Sequence, residues 1–581
     1  MTTRLLGLPA APGIGIGAIA VYRPALPSPA TTGVAVKSPP EEWQAFTVAA
    51  ARLDAELEHQ AQNENTLVAE LFAAHRVILQ DRTLVDGVQR FIYEEGESAL
   101  TATHKIIHEL TALFRSFEDE YFAGRAVDIQ DLGRRLMSHL SPAVGWSQLS
   151  HLAPQTILLA YDLTPSELTL LAQERIQGIG LAYSTPTAHS AILAHSLGIP
   201  MVCTLGARIL QLPPGTSAVV DGINGLLLIE PSAADVAEYA RRNEGLHAAQ
   251  ISARRDAHTP AITGDGVPVP IFANANRPAD VEQARAHGAD GIGLLRTEYL
   301  FLERAHPPTV EEQAAVYREF AQQMPGPFVV RALDAGGDKP VRYIDHEVEA
   351  NPFLGLRGIR LLLEKPDLLR NQYHALQLAS LPPEMPTNRP TDTPIDTSTD
   401  IGTDFRFLLP MISTVDEIEA IHALLEEANC ALPRLPVGAM IEVPSAALIA
   451  EAIAERVDFL SIGTNDLAQY TLASDRTNSA VARLADPLHP AVLRLIQHTC
   501  QAGQRHNKPV AVCGEIAGDP LVTPLLLGLG VTALSAPLPD IALIKATVRR
   551  QTLAACRHLA QAALACATAG EVRTLLENFQ V

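Results

Sequence analysis

The first 22 residues are apolar but interrupted by Pro9, Pro12, Gly13, Gly15 and Gly17, which reads as a strand entered through a turn. From about Glu41 to Leu140 the texture changes. In FTVAAARLDAELEHQ and LVAELFAAHRVIL, apolar residues recur three and four apart while Gly and Pro become scarce, the pattern of a helical bundle. Between Thr156 and Glu230 the short apolar runs TILLA, GIGLA, SAVVD and LLLIE alternate with Gly, Pro and Asp around one stretch of helical spacing, SAILAHSLG, predicting a small α/β unit. Residues 232–257 mix helix formers with charges, as a connecting helix would.

Beyond this point strand-like and helical stretches alternate to the end. Eight strand candidates can be counted, with the family resemblance given below guiding the count: VPIFANAN, GIGLLRTE, FVVRALD, RFLLPMI, VGAMIEV, FLSIGTND, PVAVCGE and VTALSA. Most are near-continuous apolar runs, as a buried parallel sheet requires, and their number and spacing suit a (β/α)8 barrel. One segment does not fit. SLPPEMPTNRPTDTPIDTSTDIGTD, residues 380–404, is rich in Pro, Thr and Asp and reads as a disordered surface insertion, with a binding loop as the sharper alternative.

Composition changes the picture by exclusion. A length of 581 residues implies several domains, and 47% hydrophobic with 19% charged residues describes a folded chain. The net charge of −21 opposes the phosphate neutralisation on which nucleic-acid affinity depends, so nucleic acid is set aside as a partner. No run approaches the roughly 18–20 apolar residues of a membrane helix. The opening MTTRLLGLPAAPGIGIG lacks a signal core, so a cytoplasmic location without membrane insertion is expected. The six cysteines, Cys203, Cys430, Cys500, Cys513, Cys556 and Cys566, form no CxxC pair and suggest neither disulfides nor structural zinc.

Candidate chemistry falls at the carboxyl ends of the barrel strands, the catalytic face of such a fold: Arg296, Arg331, Glu442, Asn465, Asp466 and Cys513. Arg296, Arg331 and the nearby Arg476 would be costly to gather without an anion between them, and Arg suits bidentate binding of phosphate or carboxylate; a small phosphorylated acid fits. Glu442 and Asp466 supply two oxygen ligands of the kind that hold Mg²⁺ when substrate phosphate completes its shell. Taken singly, each Arg is more readily a structural ion pair and Cys513 an inert buried thiol; placement at successive strand ends reverses that preference for the arginines. A protonated thiol can nevertheless act as a proton donor. His189 stands at the predicted start of a helix, with Thr187 as candidate cap, where backbone N–H groups and the dipole would stabilise a phosphoryl group on imidazole. Taken alone, His189 is more readily a surface or satisfied core histidine, and His195, six residues on, has the same blander reading.

Together these segments resemble enzyme I of the phosphoenolpyruvate:sugar phosphotransferase system. The resemblance runs through LPAAPGIGIG, AAHRVILQD, GRAVDIQDLGRRL, TAHSAILAHSLGIP, GIGLLRTEYLF, NPFLGLRGIR, MIEVPSAAL, SIGTNDLAQYTLASDR and VCGEIAGD. It implies that His189 is the phosphohistidine acceptor, that Arg296, Arg331, Asn465, Asp466 and Arg476 bind phosphoenolpyruvate, and that Arg357 is a further active-site arginine. It also implies that Glu442 and Asp466 hold Mg²⁺ and that Cys513 protonates the enolate to pyruvate. The implied architecture is α/β multidomain. A swivelling phosphohistidine domain (1–22 plus 144–230) carries an inserted helical bundle (23–143) that docks the phosphocarrier protein HPr. A linker helix (231–259) then leads to a (β/α)8 TIM-type barrel (260–581) that binds phosphoenolpyruvate and forms a homodimer.

The chain departs from the family pattern beside His189, where Gly-Gly-x-Thr-Ser-His becomes Ser184, Thr185, Pro186, Thr187, Ala188, His189, and His195 stands in place of Arg. Lost glycines, a lost hydroxyl and a lost permanent cation predict slower or more pH-dependent phosphorylation. Two other functions were weighed. A phosphoenolpyruvate synthase or pyruvate phosphate dikinase would need a phosphate-cradling Gly-rich loop, which residues 23–150 lack. A phosphoenolpyruvate-sensing regulatory phosphoprotein with weak transfer would explain the altered loop, but would not need every barrel ligand.

Overall fold

The computed structural model describes the chain other than residues 1, 23–36, 64–71, 73–74, 117–119, 141–148, 150–151, 175, 187, 303, 305, 325, 337–340, 342, 345–348, 382–403, 429–431, 477, 479–480 and 580–581. It divides into two compact units. The first comprises Met1–His247 with Arg476–Arg483, and the second Ala248–Asp475 with Leu484–Val581.

In the first unit the opening segment is three strands rather than one: β1 (Thr3–Leu6), β2 (Leu8–Ala11) and β3 (Ile14–Tyr22). Gly7 and the Pro12–Gly13 turn separate them, and Gly13 takes a φ of 134° that only glycine adopts without strain. The predicted runs form β4 (Thr156–Ala160), β5 (Gly178–Leu181), β7 (Ser217–Asp221) and β8 (Leu226–Ile229), and a three-residue strand, β6 (Met201–Cys203), joins them. The sheet order is β1-β8-β7-β3-β4-β5-β6-β2, with β3 to β6 parallel and the edges closed by antiparallel pairs. The repeated glycines of β3 are a packing requirement: a Cβ on Gly15 or Gly17 would run into the carbonyl oxygens of Gln177 and Gln155.

The bundle contributes helices Pro39–Asn63, Arg82–Tyr93, Ala99–Ser116 and Glu120–Leu140. Asp81 caps the second by accepting from Thr83 N–H. The bundle and one face of the sheet share an apolar cluster, in which Leu53, Leu84 and Leu132 continue into Leu158, Leu168 and Ile179. The linker is one continuous helix, Ala233–Arg255, so its interior offers no hinge; the positive φ of Glu230 (52°) marks the backbone break at its entry.

In the second unit all eight predicted strands form: β9 (Ile271–Ala275), β10 (Ile292–Leu295), β11 (Phe328–Arg331), β12 (Phe405–Leu409), β13 (Val437–Ile441), β14 (Phe459–Ile462), β15 (Val510–Val512) and β16 (Ala533–Ala536). Every pair is parallel, and β16 pairs with β9 to close the barrel. The proposed insertion lies largely outside the described residues. Its first two, Ser380 and Leu381, are buried, and Ser380 ends helix Pro366–Ser380, so the ordered chain extends further than the sequence suggests. Among the described residues no helix is long and apolar enough to cross a membrane.

Candidate functional site

The barrel strands bring most of the expected residues to one end. Arg296 follows β10, Arg331 closes β11, Glu442 follows β13 and Cys513 follows β15. Asn465 and Asp466 occupy the first turn of helix Thr464–Leu472, directly after β14. Arg357 arrives from the long β11–β12 connection, beside helix Ile359–Glu364.

These side chains form a buried ion cluster. Asp334, fully buried, accepts from Arg357 Nε and Nη2, each at 3.0 Å, and lies 3.2 Å from Arg331 Nη1. Arg357 also donates to both oxygens of Asp466 at 3.3 Å. Arg331 Nη2 donates to Glu298. Burial alone would pull both guanidinium groups down, but Glu298 and Asp334 at Arg331, and Asp334 and Asp466 at Arg357, outweigh it and hold them above the usual range. Arg296, whose Nη1 lies 3.4 Å from Asn276 Oδ1, is pushed the other way by burial and by the charge of Arg331. It is the cation of the group least compensated by carboxylate.

Glu442 is 1% exposed and accepts from Met411 N–H at 2.7 Å. Met411 holds a φ of 61°, an uncommon conformation for a bulky residue, which turns that N–H toward the carboxylate. Gly463 leaves room beside it, because a Cβ there would lie 2.8 Å from Glu442 Oε2. Burial, then the like charges of Asp466 and Asp334, push the Glu442 carboxyl above the usual range, against the pull of Arg357 and Arg331. Asn465 and Glu515 bond reciprocally, Nδ2 to Oε1 and Oδ1 to the Glu515 N–H, both at 3.2 Å. Cys513 is buried, and burial pushes its thiol up to about 11, so it is protonated at neutral pH.

Glu442 and Asp466 test well as a cation site. Both are hard oxygen donors, and their mutual repulsion is what a divalent ion relieves. Among the described residues no group of three or more His, Cys, Asp or Glu side chains could hold a metal ion by itself. Arg331 Nε, buried without a hydrogen-bond partner, is a donor into the same region that an anion would satisfy.

Two expected residues stand apart. Arg476 lies in the segment Arg476–Arg483, which belongs to the first unit rather than to the barrel. His189 opens helix His189–Ser196 in the first unit and is placed by its backbone. The residue before the helix is Ala188, whose side chain makes no cap bond, and the expected cap Thr187 lies outside the described residues. Ser190, one residue after His189, is buried with its hydroxyl 3.3 Å from that of Ser184. The sequence reading missed Glu298 and Asp334, although both stand inside motifs it singled out. Two and three residues after an arginine, they were the signal that the cations carry built-in partners.

Residues 250–553 match the phosphoenolpyruvate-binding domain of phosphoenolpyruvate-utilising enzymes, residues 6–125 their N-terminal domain and residues 152–225 their mobile domain. The chain is 36% identical over 585 residues to the phosphoenolpyruvate-protein phosphotransferase of Bacillus sp. (strain S), covering 98% of this chain and 97% of that one. The chain belongs to the enzyme I family of phosphoenolpyruvate-utilising enzymes. It is likewise 36% identical over 544 residues to the phosphoenolpyruvate-protein phosphotransferase of Bacillus subtilis (strain 168), covering 91% of each. Against the multiphosphoryl transfer protein of Xanthomonas campestris pv. campestris it is 40% identical over 516 residues, 87% of this chain, and spans 59% of that longer relative.

Proposed function

We propose that the chain takes the phosphoryl group of phosphoenolpyruvate onto His189, releases pyruvate, and passes the group to the histidine of the phosphocarrier protein HPr, the first step of the phosphotransferase system. The observation that carries this reading is the strand-end cluster. Arg331, whose buried Nε has no hydrogen-bond partner, feels the charge of Glu442, one of the two carboxylates suited to Mg²⁺, and a protonated thiol follows β15 in the same barrel.

Arg296 and Arg331 bind the phosphate, their fixed charge being available without reorganisation at the moment of transfer. Arg357, locked between Asp334 and Asp466, orients those carboxylates and keeps them ionised. Asn465, held by Glu515, and Arg476 complete the substrate ligands. Mg²⁺, held by Glu442 and Asp466, supplies charge neutralisation on the transferring phosphoryl group when bound. His189 is the nucleophile, and the backbone N–H groups of its helix start stabilise the phosphoryl group it receives. Cys513 delivers a proton to the methylene carbon of the enolate, giving pyruvate. His189 and the cluster belong to different units, so the reading requires the phosphohistidine domain to swivel, with the bend at the ends of helix Ala233–Arg255. A cytoplasmic location, and a homodimer formed through the barrel, complete the proposal.

The test is a coupled assay of pyruvate release with phosphoenolpyruvate, Mg²⁺ and HPr. Turnover that requires HPr and is lost in Arg296→Met supports the reading. Turnover that is independent of any carrier contradicts it.

A further inference from the structure

Ser461 is 1% exposed, in the middle of β14, and faces the barrel interior. Its hydroxyl donates to Cys513 Sγ at 3.3 Å. The sulfur in turn lies 3.6 Å from the Ile462 carbonyl oxygen, an acceptor for the resting thiol. Asn274 Nδ2 braces the Cys513 carbonyl at 3.3 Å, and Ser535 fixes Asn274 through a 2.7 Å bond to its Oδ1. The apolar side chains clustered with Cys513 are Leu294, Val329, Leu408, Met440 and Phe459. A buried hydroxyl costs free energy unless it is bonded, and the bond that Ser461 makes is to the thiol.

We infer that Ser461 is a positioning residue for the proton donor: its hydroxyl aims the Cys513 thiol and holds the thiolate left behind when the proton is delivered. The inference rests on the reading of Cys513 as the donor to the enolate. In that step the S–H bond breaks and a C–H bond forms at the methylene carbon, using the electron pair of the enolate C=C. The S–H pair stays on sulfur, and water returns a proton before the next turnover. A hydrogen bond from Ser461 strengthens as charge develops on sulfur, so it acts on the transition state more than on the resting thiol. The charged groups around the sulfur are Glu442, which disfavours the thiolate, and Arg331 and Arg296, which favour it. The Ser461 hydroxyl is the neutral donor aimed at the same atom.

The test uses the full chain with HPr and compares wild type, Ser461→Ala, Ser461→Thr and Cys513→Ala. The readouts are steady-state pyruvate release, its solvent deuterium isotope effect, and the pH profile of iodoacetamide alkylation read on the Cys513 peptide by mass spectrometry. Ser461→Ala is expected to leave the KM for phosphoenolpyruvate within about twofold and to slow pyruvate release about 10- to 100-fold. Its isotope effect should be larger and the alkylation midpoint should move to higher pH, while Ser461→Thr, which keeps the hydroxyl, restores all three. If Cys513→Ala is slow but Ser461→Ala turns over and alkylates like wild type, the Ser461 inference fails alone. If Cys513→Ala releases pyruvate at the wild-type rate, the proton-donor reading fails and takes the inference with it.

Discussion

Asp334→Asn is the sharpest perturbation of the ion cluster. Asp334 is fully buried and neutralises two arginines at once, receiving two bonds from Arg357 at 3.0 Å and facing Arg331 at 3.2 Å. The amide keeps the shape and one acceptor oxygen but removes the charge, leaving Arg357 to Asp466 alone and Arg331 to Glu298. Breaking a buried pair from one side costs about 3–5 kcal/mol, and the retained acceptor places this substitution near the lower end. The assay is urea unfolding followed by circular dichroism on the barrel transition. At a slope of roughly 3 kcal/mol per molar urea, the midpoint should fall by about 1 M with the slope unchanged. A loss within about 0.5 kcal/mol, the range of an ordinary surface substitution, would refute the reasoning, because it would mean that Asp334 carries neither arginine.

Other consequences can be checked in parallel. Arg331→Met should raise the KM for phosphoenolpyruvate by about 100-fold or more, with Arg331→Lys recovering only part, since a point charge cannot reproduce the planar fork; steady-state kinetics decide it. Burial raises Cys500 to about 12 and Cys513 to about 11, so the unfolded chain ionises these thiols first. Their contribution to stability is complete below about pH 9 and is lost as pH rises through 11 to 12, by about 1.4 kcal/mol per pH unit per thiol; urea midpoints at pH 8, 9 and 10 measure it, and Cys500→Ala should flatten the profile. His195→Arg, which places a permanent cation on the His189 helix, should speed His189 phosphorylation, read by quenched-flow labelling.

The barrel was legible because its strands are short apolar runs bounded by polar residues and because the family resemblance guided the count; all eight runs became strands, with Arg296, Arg331, Glu442 and Cys513 at the carboxyl ends of four of them. The first unit was less so. Met201–Cys203 is too short to announce itself as a strand, and the opening 22 residues were read as one strand because the Pro and Gly that divide them also mark an ordinary turn. Helix Pro165–Gln173 was missed, although Thr164 and Glu167 form its capping box and write a start signal into the sequence. At the site, the cations were anticipated and their partners were not. Counting arginines points to an anionic ligand, but which of them are already paired depends on Asp334 and Glu298 coming back across the strand ends, a tertiary fact. Ser461 was unreadable for the same reason, since nothing local distinguishes a serine in a strand from one bonded to a thiol on the next strand.

The central claim is that His189 accepts the phosphoryl group of phosphoenolpyruvate. Intact mass after incubation with phosphoenolpyruvate and Mg²⁺, with His189→Ala alongside, tests it most directly. The account predicts that the wild type gains one acid-labile phosphoryl group and the variant gains none. No gain in either protein, with phosphoenolpyruvate binding still detected by calorimetry, would contradict it and leave a protein that senses phosphoenolpyruvate rather than one that transfers its phosphoryl group.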